Sequence, residues 1–104
     1  MSLNINKVFD SEKNLWEINL IGEVDISTAN NLKETLIKLL QEKEADMRLN
    51  CEELQYIDST GLGVLIGILK RLKSIEKNII IINPRPNISK LLTITGLDKI
   101  FVIE

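Results

Sequence analysis

The sequence predicts an α/β domain on a mostly parallel sheet of four to five strands, with an N-terminal hairpin and helices mainly on one face. Three observations predict it. After two early strands, apolar spacing of period two alternates with spacing of period 3.6, as β-α units with right-handed crossovers require. Only the polar turn Asp10 to Asn14 separates the first two strands, so they pair antiparallel. Trp16, Ile18 and Leu20 alternate with Glu17 and Asn19, and Met47, Leu49 and Cys51 with Arg48 and Asn50. A sheet covered on both faces would read instead as continuous apolar runs.

Leu3 to Phe9 is the first strand, with Leu3 and Ile5 alternating against Asn4 and Asn6, and Leu15 to Ile21 is the second. Gly22-Glu23-Val24-Asp25 leads to a helix from Ser27 to Glu44, capped by Asp25 or Ser27 and buried along Ala29, Leu32, Leu36, Leu39 and Leu40. Met47 to Cys51 is the third strand. Glu52 to Ser59 reads as a loop. A central helix runs from about Thr60 to Lys77, with Leu62, Leu65, Ile66, Leu69 and Leu72 on one face. Lys70, Arg71 and Lys73 lie toward its C-terminal end, where cations complement the helix dipole. Asn78 is the expected left-handed stop. Ile79 to Ile82 is a continuous apolar strand ended by Asn83-Pro84-Arg85-Pro86. Pro86 opens a third helix carrying Ile88, Leu91 and Leu92 and ending near Gly96, and Ile100 to Ile103 is a last short strand.

At 104 residues the chain suits one domain, 1–104. A hydrophobic share of 44% beside 27% charged residues excludes a disordered chain. The net charge of −2, without a basic cluster, argues against nucleic acid and against an acidic membrane surface. No apolar run reaches the roughly 18 residues of a spanning helix, and no signal peptide opens the chain. Cys51, the one cysteine, has no internal disulfide partner and reads as a buried strand residue, so the expected location is the reducing cytoplasm. The absence of histidine excludes a Ser-His-Asp or Cys-His nucleophile, a histidine phosphocarrier and an imidazole metal site. Gly61-Leu62-Gly63 and Gly67 lack the Lys-Ser/Thr of a P-loop. The expectation is a protein that is not an enzyme and holds no cofactor and no metal.

Chemistry concentrates in Tyr56-Ile57-Asp58-Ser59-Thr60-Gly61-Leu62-Gly63-Val64-Leu65. Asp58 and Ser59 are both N-cap types. The hydroxyl pair Ser59 and Thr60 falls at the amide-rich start of a helix, where a phosphate is well placed; plain capping is the alternative use. Gly61, Gly63 and Gly67 each cost a helix about 1 kcal/mol against alanine, which points to close approach, either of the sheet or of a partner's surface. In parallel β-α sheets, ligand-facing groups collect beyond the carboxyl ends of the strands. That placement brings Glu23, Asp25, Asp58, Ser59, Thr60 and Asn83 to one edge. Its three carboxylates suit either a divalent cation or a basic groove on a protein partner. A phospho-aspartate receiver is disfavoured, because the strand Ile79 to Ile82 runs into Asn83-Pro84-Arg85 and not into a lysine.

Asp58-Ser59-Thr60-Gly61-Leu62-Gly63-Val64-Leu65 resembles the signature of the STAS family, the sulfate-transporter and anti-sigma-factor-antagonist domain. More narrowly, it resembles the bacterial anti-sigma factor antagonists of the sporulation and general-stress type. Gly22-Glu23-Val24-Asp25 is similar to an early loop of that family and Leu91-Leu92-Thr93-Ile94-Thr95-Gly96-Leu97 to a late one, so the resemblance covers nearly the whole chain. It implies a non-catalytic switch whose unphosphorylated form binds an anti-sigma factor and frees the sigma factor. The anti-sigma factor, a serine kinase of the GHKL ATPase type, would phosphorylate Ser59 from ATP, and a metal-dependent phosphatase of the PP2C type would reverse it. Thr60 is the second candidate acceptor. The expected partner-binding set is Glu23, Asp25, Asp58, Ser59, Thr60, Gly61, Gly63 and Asn83. The alternative is a scaffold or interaction module of the same fold that is never phosphorylated. Family members often carry a further C-terminal helix, expected here to be absent or very short.

Overall fold

Asp10 closes the hairpin between β1 (Leu3–Asp10) and β2 (Leu15–Val24), its carboxylate accepting from the backbone N–H of Glu12 at 3.0 Å and of Lys13 at 3.1 Å. Asn14 completes the turn at φ 53°, a left-handed position that Asn tolerates better than most side chains. In this computed structural model residues 2–104 are described; Met1 of the expected domain lies outside the described residues. The chain continues through α1 (Ala29–Glu42), β3 (Asp46–Asn50), β4 (Leu54–Ile57), α2 (Ser59–Lys73), β5 (Ile79–Ile82), α3 (Pro86–Ile94), a 3-10 turn at Leu97–Lys99 and β6 (Val102–Ile103).

Six strands form one sheet in the order β1-β2-β3-β5-β6, with β4 also paired to β2. Every pairing except the hairpin is parallel. The count exceeds the four to five expected because β4 lies inside the supposed loop Glu52 to Ser59. Along β2, Leu15 to Asn19 pairs with β3, and Gly22 to Val24 pairs with β4 across a register shift between Gly22 and Glu23. Gly22 permits this. It sits at φ 117°, and a Cβ there would run into the Ser2 carbonyl oxygen.

The core lies on one face of the sheet. Ile18, Leu20, Val24, Met47, Leu49, Ile79 and Ile81 meet Leu32 and Leu36 of α1, Leu65, Ile68 and Leu72 of α2, and Ile88 and Leu92 of α3. The other face carries half-buried Glu17, Asn19, Arg48 and Asn50, with Arg48 and Glu17 ion-paired at 3.3 Å. Alternation in β2 and β3 thus reports which face the helices cover. Trp16 is buried against Phe9 in an edge-to-face pair, and its Nε1–H donates to the Lys43 carbonyl at 3.0 Å, tying β2 to the end of α1. Among the described residues no helix is long and apolar enough to cross a membrane.

Two helix ends matter for the site. The end of α2 is a Schellman turn, in which Lys77 N–H donates to Leu72 O at 2.8 Å and Glu76 N–H to Lys73 O at 3.1 Å. Its left-handed residue is Glu76, at φ 62°, and not Asn78 as expected. Asn78 instead opens β5, donating its N–H to the Asp46 carboxylate at 2.8 Å. The start of α3 closes the outer edge of β4. Asn87 Nδ2 donates to Gln55 O at 3.0 Å and Arg85 Nε to Glu52 O at 2.9 Å.

Candidate functional site at the start of α2

Asp58 is the N-cap of α2. Its backbone is extended, and its carboxylate accepts from Gly61 N–H at 3.1 Å. Its own N–H donates to Val24 O at 3.2 Å, which ties the helix start to the end of β2. Ser59 therefore becomes the first helical residue and Thr60 the second. Both are exposed, and neither hydroxyl makes a hydrogen bond among the described residues. The first backbone N–H groups of a helix have no intrahelical acceptor; Asp58 takes that of Gly61, and those of Ser59 and Thr60 lie beside the two exposed hydroxyls.

The three glycines of α2 divide. A Cβ on Gly61 would lie 2.5 Å from Val24 Cγ1 and 2.7 Å from Ile57 Cγ1, so Gly61 lets the helix sit down on β2 and β4. Nothing lies within 4 Å of a Cβ on Gly63 or Gly67. Those two floor an open groove of about 500 Å³ between α1 and α2, with Lys33, Thr60 and Arg71 also in its lining.

The neighbouring loop is locked by its own side chains. Asp25 N–H donates to Thr28 Oγ1 at 3.0 Å, while the Asp25 carboxylate accepts from Ser27 N–H at 2.8 Å and Ser27 Oγ at 2.6 Å. Thr28 Oγ1 donates to Glu23 O at 2.9 Å. This is a reciprocal cap one turn ahead of α1, whose assigned N-cap residue, Thr28, makes no side-chain cap bond to the helix. The Ser27 hydroxyl, helped by the backbone N–H groups of Ser27 and Thr28, holds the Asp25 carboxyl below its ordinary value of 3.8, against burial, which raises it.

Val24 pairs with Ile57 and Glu23 with Tyr56, so the loops after β2 and β4 leave the sheet side by side. Glu23, Asp58, Ser59 and Thr60 share that rim. Three expected contacts are placed differently. Asp25 is buried with its carboxylate turned into its own loop, and Gly61 is buried in helix–sheet packing. Asn83 stands apart, its Nδ2 3.4 Å from Asn50 Oδ1. Asn50 pairs with Asn19, five residues before Val24 along β2, which is about 17 Å at a strand rise of about 3.3 Å per residue. Among the described residues no group of three or more His, Cys, Asp or Glu side chains is arranged to hold a metal ion. One residue at the rim was not singled out from sequence. Ile26, in the loop between Asp25 and Ser27, is 83% exposed. The available signal was its place as the sole apolar residue in the cap segment Asp25–Thr28.

The fold recurs in known proteins. The family model described as the STAS domain matches residues 7–104. The chain belongs to the STAS domain family. A relative from Staphylococcus epidermidis, named anti-sigma-B factor antagonist, is 37% identical over 104 residues, covering 100% of this chain and 94% of the relative. Two solved structures share the fold of this STAS domain. The anti-sigma factor antagonist SpoIIAA in its unphosphorylated form superposes with a TM-score of 0.80 at 20% identity, over 99% of this chain and 88% of that one. The Bacillus cell fate determinant SpoIIAA in its phosphorylated form gives 0.72 at 21% identity, over 99% and 91%.

Proposed function

We propose that this STAS domain is an anti-sigma factor antagonist, a cytoplasmic, non-catalytic switch turned off by phosphorylation of Ser59. The observation that carries the reading is the exposed Ser59 hydroxyl at the first turn of α2, left free because Asp58 supplies the cap. The naming of the Staphylococcus epidermidis relative and the existence of a phosphorylated form of SpoIIAA support it. The unphosphorylated rim of Glu23, Asp58, Ser59, Thr60 and Gly63 binds the anti-sigma factor and releases its sigma factor. That factor, a GHKL-type serine kinase, transfers phosphate from ATP to Ser59, and a PP2C-type phosphatase removes it.

Charge explains the off state. A phosphoserine adds about −1.5 to −2 at neutral pH. Within the domain the helix start stabilises that charge by roughly 0.3–1 kcal/mol, so the fold stays as it is. Across an interface that already holds Glu23 and Asp58 the same charge is repulsive and must be desolvated. A penalty of about 3 kcal/mol weakens a complex about 100-fold, which suffices for a switch.

Intact-mass spectrometry after incubation with the anti-sigma factor and Mg-ATP tests the proposal. The expected result is one phosphoryl increment mapping to Ser59 and abolished by Ser59→Ala. An increment that survives Ser59→Ala moves the acceptor to Thr60. A stable complex that takes up no phosphate replaces the switch with a constitutive interaction module.

A further inference from the structure

Exposure alone says little, since single apolar residues are common on protein surfaces. Ile26 is set apart by three further observations. Its backbone is fixed, because the flanking Asp25 and Thr28 are both buried at 8% exposure and bonded to each other. It contributes nothing to the fold that a polar residue would not, since it lies outside the core and just ahead of α1, where the cap bonds are made by Asp25 and Thr28. Its level is that of the phosphoacceptor: Ile26 follows Val24 by two residues and Ser59 follows Ile57 by two, and Val24 and Ile57 are paired in parallel strands.

We infer that Ile26 is the apolar anchor by which the anti-sigma factor recognises this chain, inserting into an apolar pocket with a basic rim beside that protein's phosphotransfer site. The inference rests on the function proposed above. An apolar side chain held in one place loses little freedom on docking, and such anchors dominate protein interfaces. The rim follows from charge, because Glu23 and Asp58 stand on the same edge as Ile26 and carry no ion-pair partner among the described residues.

The test is isothermal titration of wild type, Ile26→Ser and Ile26→Val with the purified anti-sigma factor of the source organism, loaded with ADP. Ile26→Ser should weaken Kd about 10- to 100-fold, the range expected for losing one buried isoleucine side chain. Ile26→Val should keep Kd within about tenfold of wild type. Both should match wild type in circular dichroism, and Ile26→Ser should raise KM for Ser59 phosphorylation while sparing kcat. A Kd for Ile26→Ser within about twofold of wild type overturns the inference while leaving the switch standing. A wild-type dimer in sedimentation that Ile26→Ser dissolves also overturns it, since a second copy is then the occupant. If wild type binds no anti-sigma factor at all, the proposed function and the anchor fall together.

Discussion

Two alanine substitutions two residues apart in α2 should move stability in opposite directions. Gly61→Ala puts a methyl 2.5 Å from Val24 Cγ1 and 2.7 Å from Ile57 Cγ1. Val24 is 0% exposed and Ile57 4%, and both are β-branched, so neither can step aside by a simple rotamer change. Overpacking of this kind costs about 1–3 kcal/mol, against up to about 1 kcal/mol regained from helix propensity. Gly63→Ala meets nothing within 4 Å and keeps the whole of that gain. The unfolded-state effect is the same for both substitutions, so their difference isolates the packing, about 2 kcal/mol or about 10 °C in Tm for a domain of this size. Thermal unfolding followed by circular dichroism, checked by urea titration, reads it directly. Equal shifts of the same sign would show that Gly61 is not the seat of α2 on β2 and β4. The contrast also reaches function: Gly63→Ala should stabilise the isolated domain yet weaken the complex proposed to form over that bare stretch of helix.

Ser59→Asp should bind the anti-sigma factor poorly while keeping the wild-type circular dichroism spectrum; an unfolded variant would make Ser59 a structural residue. Asp25 has a carboxyl whose folded value lies below 3.8, so it contributes stability above its unfolded value and loses it as pH falls through the folded one. Acid unfolding of Asp25→Asn should accordingly be flatter below about pH 4 than that of wild type; an unchanged profile would place the acid-sensitive group elsewhere. Burial pushes the Cys51 thiol up to about 12, so a thiol reagent at pH 8 should label it only at the rate of unfolding. Fast labelling of the native protein would contradict its place in the core.

The hairpin and the three helices are legible in the sequence because each is long enough for its period to show. Trp16, Ile18 and Leu20 display period two, and Leu62, Leu65, Leu69 and Leu72 display the helical stripe. Strand β4 is not legible: it buries only Leu54 and Ile57, three residues apart, with Gln55 and Tyr56 exposed between them. That single omission propagated. With β4 taken as loop, Asn83 and Ser59 fall at one edge; with β4 in place, the Ser59 loop is carried a strand's length farther along β2. At the site, Asp58 and Ser59 are equally good caps by residue type, and the choice is made by a long-range bond, from Asp58 N–H to Val24 O. The helix stop differs for a similar reason. Asn78 is the better left-handed residue by type, but its N–H is claimed by Asp46 across 32 residues, and Glu76 takes the turn.

The hem sewn along β4 by Arg85 and Asn87 has a consequence for how Ser59 can be read. A bare strand edge invites another chain to add itself as a further strand, gripping main chain to main chain. Here the Gln55 and Glu52 carbonyls are already occupied. A copy or partner adding itself along β4 would have to displace the Asn87 bond to Gln55 O, which favours recognition by one side-chain surface pressed against another. A backbone zipper would survive a single new charge with most of its bonds intact. A surface match would not, so under the proposed switch one phosphoryl group on Ser59 would be enough to weaken the whole contact.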